Sequence, residues 1–338
     1  MTQRPTVLVL GARGRFGLAA TRAFAQAGWQ VHAQVRPGAA GPNIPGVEWI
    51  AARPEDTSAL VAAANGASVV VQGLSPAYTH QAWREHLPAL TQAAIDVTRE
   101  LGGTLMLPAS VYNFGEGMPS VLREDTPQTP TTFKGRMRVA SEEQVRAATL
   151  DGCMQAVVVR SGDFYGGGTG SWFDLVMAKD LASGKFTYPG RYDVATAWAY
   201  MPDLARAFVK VAEQRGRLLA FDTLHFAGEV HSGQDWAHVM EALAQEQQWL
   251  REGQPLRTAS ISWLLVRLAG FVMPTMASIF EMRYLWRKPY ALDNRKLVAL
   301  IGEEPRTPFA QAVRASLGDL GLLSAAGGVT HARPASAH

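Results

Sequence analysis

The sequence predicts an α/β fold in which helices cover both faces of a doubly wound parallel sheet. Two observations predict it. Short runs rich in valine and leucine alternate with longer segments of helical periodicity through the first half of the chain. A glycine-rich motif also lies directly between the first such run and the first helical segment. We expect a smaller, mostly helical lobe to follow this sheet.

Six apolar runs are typical of buried strands, because a parallel sheet covered on both faces is apolar nearly throughout. These runs are Val7–Leu10, Gln30–Val35, Val47–Ile50, Ser68–Gln72, Thr104–Leu107 and Ala156–Val159. The helical segments between them are Arg15–Ala27, Ser58–Ala64, Gln81–Leu101 and Lys134–Leu150. Turn signals at Asn65-Gly66 and Gly102-Gly103 close two of the helices.

The domain organisation follows from length and from a change in composition. A chain of 338 residues exceeds one typical domain, and beyond Arg160 the alternation weakens while aromatic residues and methionine become frequent. We expect the sheet domain to span 1–160 and to be completed by about 196–228, with a substrate lobe over 161–195 and 229–320. The small, polar residues from Ser324 onward predict a flexible tail over 321–338.

Composition excludes several classes of function. The 32 basic and 29 acidic residues are spread along the chain without a basic stripe, so we expect no nucleic-acid partner. Cys153 is the only cysteine and the eight histidines are scattered, which excludes an internal disulfide and predicts no metal site. Residues Met1–Pro5 lack the features of a secretory signal. A reducing cytoplasm fits these features best.

The most apolar stretch is Ile261–Phe280. Arg267 and Pro274 interrupt it, and its uncharged part, Leu268–Phe280, is too short to span a bilayer. We expect a buried or pocket-lining helix here and no membrane partner. An amphipathic helix lying in a membrane interface is the lesser alternative.

The most informative motif is Gly11-Ala12-Arg13-Gly14-Arg15-Phe16-Gly17. Phosphates bind backbone N–H groups at a helix N-terminus, and glycine lets the main chain turn tightly and approach them closely. A tight loop is the plainer interpretation of a glycine cluster. The order strand, motif, helix nevertheless favours a dinucleotide site formed by this segment.

The spacing of these glycines resembles that of extended and atypical short-chain dehydrogenases/reductases, the NAD-dependent epimerase/dehydratase-like group, whose nucleotide domain has the Rossmann fold. Four later segments resemble the same family in the same order: Val69–Tyr78, Ser110–Tyr112, Arg160–Gly166 and Tyr200–Ala205. The likeness covers residues 5–320. It implies that Gly73 and Leu74 contact the cofactor. We expect the substrate pocket to include Tyr78, Asp163, Phe164, Trp172 and Tyr200.

The end of the second strand bears on the choice of cofactor. An NAD site usually carries a carboxylate there, but this strand ends Gln34-Val35-Arg36. Arg36, helped by Arg13 or Arg15, can pair a 2′-phosphate, so we expect NADP(H). A solvated surface arginine is the alternative. Arg53 lies where the family often has an aspartate that contacts adenine.

The predicted catalytic helix departs from the usual tyrosine and lysine pair of the family. Lys134 falls at the tyrosine position, Arg138 at the lysine position, and Pro108 at the usual serine position. This helix resembles that of isoflavone-reductase-like and NmrA-like proteins. Lys134, Arg138 and Glu142 share one helix face, so we expect Arg138 to pair with Glu142 while Lys134 reaches toward the nicotinamide and assists proton transfer. A solvated basic helix explains the same residues.

Hydroxyl and aromatic groups supply further candidates. Ser110 and Tyr112 follow the fifth strand, at the sheet edge where such folds bind ligands, although Tyr112 also suits core packing. An apolar pocket or ordinary core would be formed by Trp172, Phe173, Trp198, Tyr200, Tyr284 and Trp286.

These features predict an NADPH-dependent reductase acting on a small, hydrophobic carbonyl or enone substrate, with Lys134 as the proton donor. Two alternatives stay open. One is the NAD(P)-dependent epimerase or dehydratase chemistry of extended relatives on sugar nucleotides, and the other is a non-catalytic NADP(H)-binding redox sensor. The sequence leaves a homodimer open.

Overall fold

The computed structural model describes residues 4–323 and contains a central sheet of seven parallel strands in the order β11-β7-β5-β4-β1-β2-β3. These strands are β1 (Thr6–Leu10), β2 (Gln30–Val35), β3 (Val47–Ala51), β4 (Val69–Gln72), β5 (Thr104–Ala109), β7 (Gln155–Arg160) and β11 (Phe221–His225). The predicted doubly wound α/β fold is confirmed. All six predicted strands belong to this sheet, and β11 lies within the stretch 196–228.

Helices cover both faces of the sheet because successive strand residues point to opposite sides. Val7 and Val9 pack on one face, while Leu8 and Leu10 pack on the other. The helices of the described residues are α1 (Arg15–Gln26), α2 (Thr57–Ala63), α3 (His80–Leu101), α4 (Phe133–Ala148), α5 (Met201–Glu213), α6 (Gly233–Glu246), α7 (Trp263–Ala269), α8 (Pro274–Glu281), α9 (Arg295–Ile301) and α10 (Phe309–Asp319). Helices α1 and α5 pack together on one face, and α3 and α4 pack together on the other.

The direction of winding reverses at β1, which pairs with β2 on one side and β4 on the other. The chain runs outward from β1 through β2 to β3, and then returns to β4 to build the other half of the sheet. A crevice therefore forms at the carboxyl ends of β1 and β4. Folds of this kind bind their ligands at such a crevice.

The second lobe combines helices with short strands around an aromatic core. A three-stranded sheet in the order β12-β10-β8 is accompanied by two pairs, β13-β9 and β14-β6. These strands are β6 (Val121–Leu122), β8 (Asp163–Tyr165), β9 (Lys185–Tyr188), β10 (Thr196–Tyr200), β12 (Glu229–His231), β13 (Arg257–Ser260) and β14 (Ala291–Leu292). Trp198 lies at the centre of the core, with ring centroids 4.9 Å from Trp236 and 5.4 Å from Trp286.

The apolar stretch Ile261–Phe280 differs from its predicted form. It forms two short helices, α7 and α8, because Gly270 ends the first and Pro274 begins the second. The expectation of a buried helix is wrong, since Phe271 and Val272 between the helices are exposed. The alternative, a pocket-lining segment, agrees with the structure, because both helices contribute to the cavity described below. No helix among residues 4–323 is long and apolar enough to cross a bilayer. The predicted tail lies outside the described residues from position 324 onward.

Candidate active site

A cavity of about 1710 Å³ opens at the carboxyl edge of the central sheet. Its walls follow the ends of the strands: Gly11 follows β1, Arg36 follows β2, Gly73 follows β4 and Ser110 follows β5. The opposite wall comes from the second lobe through residues of β8, α7 and α8. The cavity is therefore continuous from the glycine motif to the second lobe.

The glycine motif fits the pyrophosphate group of a dinucleotide. Gly11 adopts a left-handed φ of +65°, and the motif carries the chain directly into α1. A Cβ atom on Gly17 would lie 2.2 Å from the Gly11 carbonyl oxygen, so only glycine allows this packing. The first N–H groups of α1 have no acceptor within the helix and are free to bind an anion. Of the predicted cofactor residues, all but Gly17 and Lys134 line the cavity.

Gln34 fixes the position of the glycine motif, a role that the sequence did not reveal. Its side-chain oxygen accepts a hydrogen bond of 2.8 Å from the Gly11 N–H, and its side-chain nitrogen donates one of 2.7 Å to the Ala52 carbonyl. One amide therefore joins the ends of β1, β2 and β3. A carboxylate could accept the first bond but could not donate the second.

Three exposed arginines, Arg13, Arg36 and Arg53, line the same end of the cavity. Arg36 and Arg13 match the predicted phosphate-binding residues. Arg53 lies beside them, because it follows β3 and β3 pairs with β2. From the sequence, this residue was notable only because the family often has an aspartate there. Glu55 is the carboxylate among the lining residues at this end. The local charge therefore favours an anionic ligand.

Arg15 lines the cavity, but its guanidinium is turned toward the second lobe. Nη1 donates a hydrogen bond of 3.0 Å to the Gly170 carbonyl, and Nη2 donates one of 3.4 Å to the Phe164 carbonyl. Arg15 thus joins the start of α1 to β8 and to the loop after it.

The loop after β4 brings Gly73 and Leu74 to the glycine motif. A Cβ atom on Gly73 would lie 2.6 Å from the Leu10 carbonyl oxygen and 3.0 Å from the Cα of Gly17. Glycine at both positions lets the two loops approach each other.

Tyr78 and Tyr112 meet in the part of the cavity that also contains Asp163; we call this part the substrate end, after the pocket predicted for Tyr78 and Asp163. Their hydroxyl oxygens lie 3.2 Å apart, within hydrogen-bond distance, and both residues line the cavity. Burial and the neighbouring Asp163 raise the pKa of Tyr112 to about 12, so this phenol stays protonated near neutral pH. Ser110 also lines the cavity, and its Oγ is buried without a hydrogen-bond partner among the described residues.

Lys134 lies behind the cavity wall and not in it. The side chain is fully buried, with Nζ 4.2 Å from the Tyr78 ring centroid and 4.6 Å from that of Trp83. No hydrogen-bond partner reaches Nζ within residues 4–323. Burial lowers the pKa of Lys134 to about 8, an effect that Glu281 opposes and Arg138 reinforces. Its charge is therefore stabilised mainly by the faces of two aromatic rings.

Arg138 lines the cavity, but the predicted pair of Arg138 with Glu142 is wrong. Glu142 instead accepts a hydrogen bond of 2.7 Å from the fully buried Arg160. Arg160 also donates one of 2.7 Å to the Ser110 carbonyl. Helix spacing predicts Arg138 as the partner of Glu142, because the two lie one turn apart. In the fold, Arg160 at the end of β7 pairs with Glu142 instead. The Arg138 guanidinium carbon lies 4.8 Å from the Trp83 ring centroid.

Asp163 is the carboxylate at the substrate end of the cavity. It lines the cavity at the start of β8, and its Oδ2 is buried without a hydrogen-bond partner in the described part of the chain. Burial raises the pKa of Asp163 to about 7. The group can therefore both accept and release a proton near neutral pH.

The predicted aromatic residues divide between cavity and core. Phe164 and Trp172 line the cavity, together with Val176 and, from the second lobe, Met276 and Ile279. Tyr200 does not reach it, because its ring packs 5.3 Å from that of Tyr165. The remaining aromatic candidates, Phe173, Trp198, Tyr284 and Trp286, are buried in the second lobe.

Glu281, which the sequence did not single out, joins the two lobes at this site. From the end of α8 it accepts hydrogen bonds from the backbone N–H groups of Phe133 (3.0 Å) and Lys134 (3.3 Å), at the start of α4. His80 Nε2 lies 3.1 Å from the same carboxylate. Among residues 4–323 there is no cluster of three or more His, Cys, Asp or Glu suited to a metal ion.

Comparison with known families matches residues 5–263 to the one described as RmlD substrate binding domain. Comparison with curated protein sequences gives no significant match.

Solved structures share the fold of nearly the whole chain. UDP-glucose 4-epimerase from Brucella ovis, in complex with NAD, has a TM-score of 0.71 at 15% identity, over 95% of this chain and 99% of that one. UDP-glucuronic acid 4-epimerase from Bacillus cereus, also with NAD, has a TM-score of 0.70 at 14% identity, covering 94% and 98%. UDP-glucose 4-epimerase from Thermotoga maritima, with UDP-glucose, has a TM-score of 0.69 at 11% identity, covering 94% and 98%. At such identities the likeness concerns the fold.

Proposed function

We propose that this chain, which belongs to the RmlD substrate binding domain family, is a nicotinamide-dinucleotide-dependent enzyme that interconverts an alcohol and a carbonyl group on a small molecule. One observation carries the proposal. A continuous cavity has a glycine motif suited to a phosphate group at one end and a titratable carboxyl group, Asp163, at the other.

The residues at the cofactor end of the cavity support a binding site for each part of the dinucleotide. The free N–H groups of the first turn of α1, which begins at Arg15, would hold the pyrophosphate, and the side-chain-free Gly11 and Gly14 would let it approach the main chain. Arg13, Arg36 and Arg53 would hold a 2′-phosphate on the adenosine ribose, which favours NADP(H). When bound, the nicotinamide supplies the hydride donor or acceptor.

The substrate end supplies proton transfer. Asp163 accepts the hydroxyl proton when an alcohol is oxidised and returns it when a carbonyl is reduced. Tyr112, protonated and bonded to Tyr78, donates a hydrogen bond to the same substrate oxygen. The assignment of Lys134 as proton donor stays a prediction. Its Nζ would have to leave the Tyr78 and Trp83 rings to reach a substrate.

Of the reaction classes, we favour epimerase- or dehydratase-type redox chemistry on a sugar nucleotide. The family match and the fold shared with UDP-sugar epimerases support it. Reduction of an apolar carbonyl or enone is the second candidate, because Trp172, Val176 and Met276 give the substrate end an apolar wall.

Cofactor consumption separates the two classes. Purified protein is incubated with NADP(H) or NAD(H) and with panels of UDP- and dTDP-sugars, aldehydes, ketones and enones, while NADPH absorbance and sugar stereochemistry are followed. Epimerase or dehydratase chemistry returns the cofactor to its starting state, so product forms without net NADPH loss. A reductase consumes NADPH in proportion to product. Cofactor binding without turnover on either panel would contradict the proposal and favour a redox sensor.

A second measurement tests the arginines. Arg36→Ala and Arg53→Ala are each expected to raise the Kd for NADPH by about tenfold or more, because each removes a charged hydrogen bond of roughly 1.5–3 kcal/mol, and to change the Kd for NADH little. Arg22→Ala is the matched control, since Arg22 is exposed on α1 outside the cavity. Equal losses for NADPH and NADH would contradict the assignment of a 2′-phosphate site.

A further inference from the structure

The hairpin formed by α7, α8 and the loop between them exposes several large apolar side chains. Phe271 is 80% exposed and Val272 81% exposed, and Leu264 and Leu265 are each 65% exposed. We use "apolar tip" for the exposed apolar side chains of this hairpin: Leu264, Leu265, Leu268, Phe271, Val272 and Met273. Isolated exposed apolar residues are ordinary, but a contiguous group of this kind marks an interaction surface.

The hairpin that carries the apolar tip is anchored on its inner side. Trp263 Nε1 donates a hydrogen bond of 3.0 Å to the Pro189 carbonyl at the start of α7, and Glu281 binds the start of α4 at the end of α8. Val266 and Met276 line the cavity from within the hairpin. The exposed side chains therefore project from a fixed support.

Three arginines lie in the same stretch of chain as the tip: Arg267 within α7, and Arg283 and Arg287 shortly after α8. Arg267 and Arg287 are exposed, whereas Arg283 is half-buried and donates a hydrogen bond of 3.0 Å to the Phe280 carbonyl. Burial lowers the pKa of Arg283, and the positive charges of Arg287 and Arg267 lower it further. None of the three arginines forms an ion pair with a carboxylate within residues 4–323. Their charge is thus available to an anionic partner.

We propose that the apolar tip docks on an anionic lipid bilayer, with its side chains at the acyl boundary and Arg267, Arg283 and Arg287 at the lipid phosphates. An apolar face beside a basic cluster has the chemistry of an interfacial membrane anchor. A second copy of the chain fits less well, because a two-fold contact would bring each arginine cluster toward its own counterpart. Docking would place the cavity wall formed by α7 and α8 at the membrane surface. This proposal does not depend on the reaction that the site catalyses.

Vesicle flotation of the full chain tests the proposal. We expect binding to vesicles of phosphatidylcholine with phosphatidylserine, weaker binding to phosphatidylcholine alone, and a decrease with salt. The double variant Phe271→Ser/Val272→Ser should lower the partition coefficient about tenfold or more, and Arg267→Glu or Arg287→Glu about fivefold or more each. All variants should keep the wild-type melting temperature and NADPH affinity, because the replaced side chains are exposed and lie outside the cavity lining.

Leu150→Ser is the matched control, because Leu150 is 83% exposed on another part of the surface. It should leave vesicle binding unchanged. Three results would overturn the proposal: wild-type protein that ignores anionic vesicles, a loss with Leu150→Ser as large as with the tip variant, or an oligomer that dissociates when Phe271 and Val272 are replaced. The last result would assign the tip to a contact between copies of the chain.

Discussion

Burial changes the ionisation of two side chains at the substrate end of the cavity in opposite senses. Asp163 has a pKa raised to about 7, and Lys134 has one lowered to about 8. Only the carboxyl group lines the cavity. We therefore expect substitution of Asp163 to change catalysis and substitution of Lys134 to change stability.

Asp163→Asn should lower kcat by a factor of about 10² to 10⁴, because an amide cannot take or return the substrate proton. In the direction of alcohol oxidation, wild-type activity should rise with pH through about 7, as the carboxyl group ionises, and the variant should lose this inflection. Steady-state kinetics across pH measure both effects. Asp180→Asn is the control, since Asp180 pairs with Lys185 outside the cavity. A variant with unchanged kcat and pH profile would exclude Asp163 as the acid–base group.

Lys134→Met should stabilise the protein near neutral pH, by on the order of 1–2 kcal/mol, because it removes a buried charge whose desolvation the aromatic rings and Glu281 offset only in part. The folded pKa of about 8 lies below the unfolded value of 10.5. Between these values the unfolded chain binds more protons, so wild-type stability rises with pH and the advantage of the variant shrinks. Urea denaturation on both sides of this window measures the difference. A variant less stable than wild type at neutral pH would show that the ammonium group has a partner.

The residue scale also shows where sequence reasoning reached its limit. Gly11, Gly14 and Arg36 could be predicted because a local motif fixes their position beside the first strands. Gln34, Arg53 and Glu281 could not, since their roles depend on the neighbours that β2, β3 and α8 acquire in the fold. The prediction that Arg138 pairs with Glu142 was wrong for the same reason, because helix spacing gives no information about Arg160 on β7.

At the scale of elements, the strands of the central sheet could be predicted from the sequence, whereas those of the second lobe could not. Buried parallel strands such as β4 are continuous apolar runs, so their bounds were predicted to within about two residues. The strands of the second lobe are two to five residues long, which is too short for a clear period. The sequence of α7 and α8 predicted a buried helix because it is apolar, but its apolar side chains lie partly on the surface and partly in the cavity wall.

Glu281→Gln tests the link between α8 and α4. The carboxylate accepts two backbone N–H groups at the positive end of the α4 dipole, so its neutralisation should reduce unfolding free energy by about 1 kcal/mol. Chemical denaturation measures the loss. Glu143→Gln, a substitution at an exposed position of α4, should reduce the unfolding free energy much less. Equal effects of the two substitutions would contradict a capping role for Glu281.

At the scale of the molecule, the chain belongs to the RmlD substrate binding domain family and shares its fold with UDP-sugar epimerases, in agreement with the predicted likeness to the epimerase/dehydratase-like group. The likeness of α4 to the isoflavone-reductase-like helix stays a prediction, as does the preference for NADP(H). The reversal of strand order at β1 places the glycine motif at the crevice. The second lobe then closes the same cavity with Asp163 and Trp172.

The most direct test is a fluorescence titration of NADPH and NADH into wild-type protein and into Gly17→Ala, with Gly216→Ala as control because a Cβ there meets open space. The account predicts saturable wild-type binding with a Kd on the order of micromolar. It predicts a loss of more than about tenfold in Gly17→Ala, since the added Cβ would displace the motif that holds the pyrophosphate. Folded wild-type protein that binds neither dinucleotide, or a Gly17→Ala variant that binds as tightly as wild type, would contradict it.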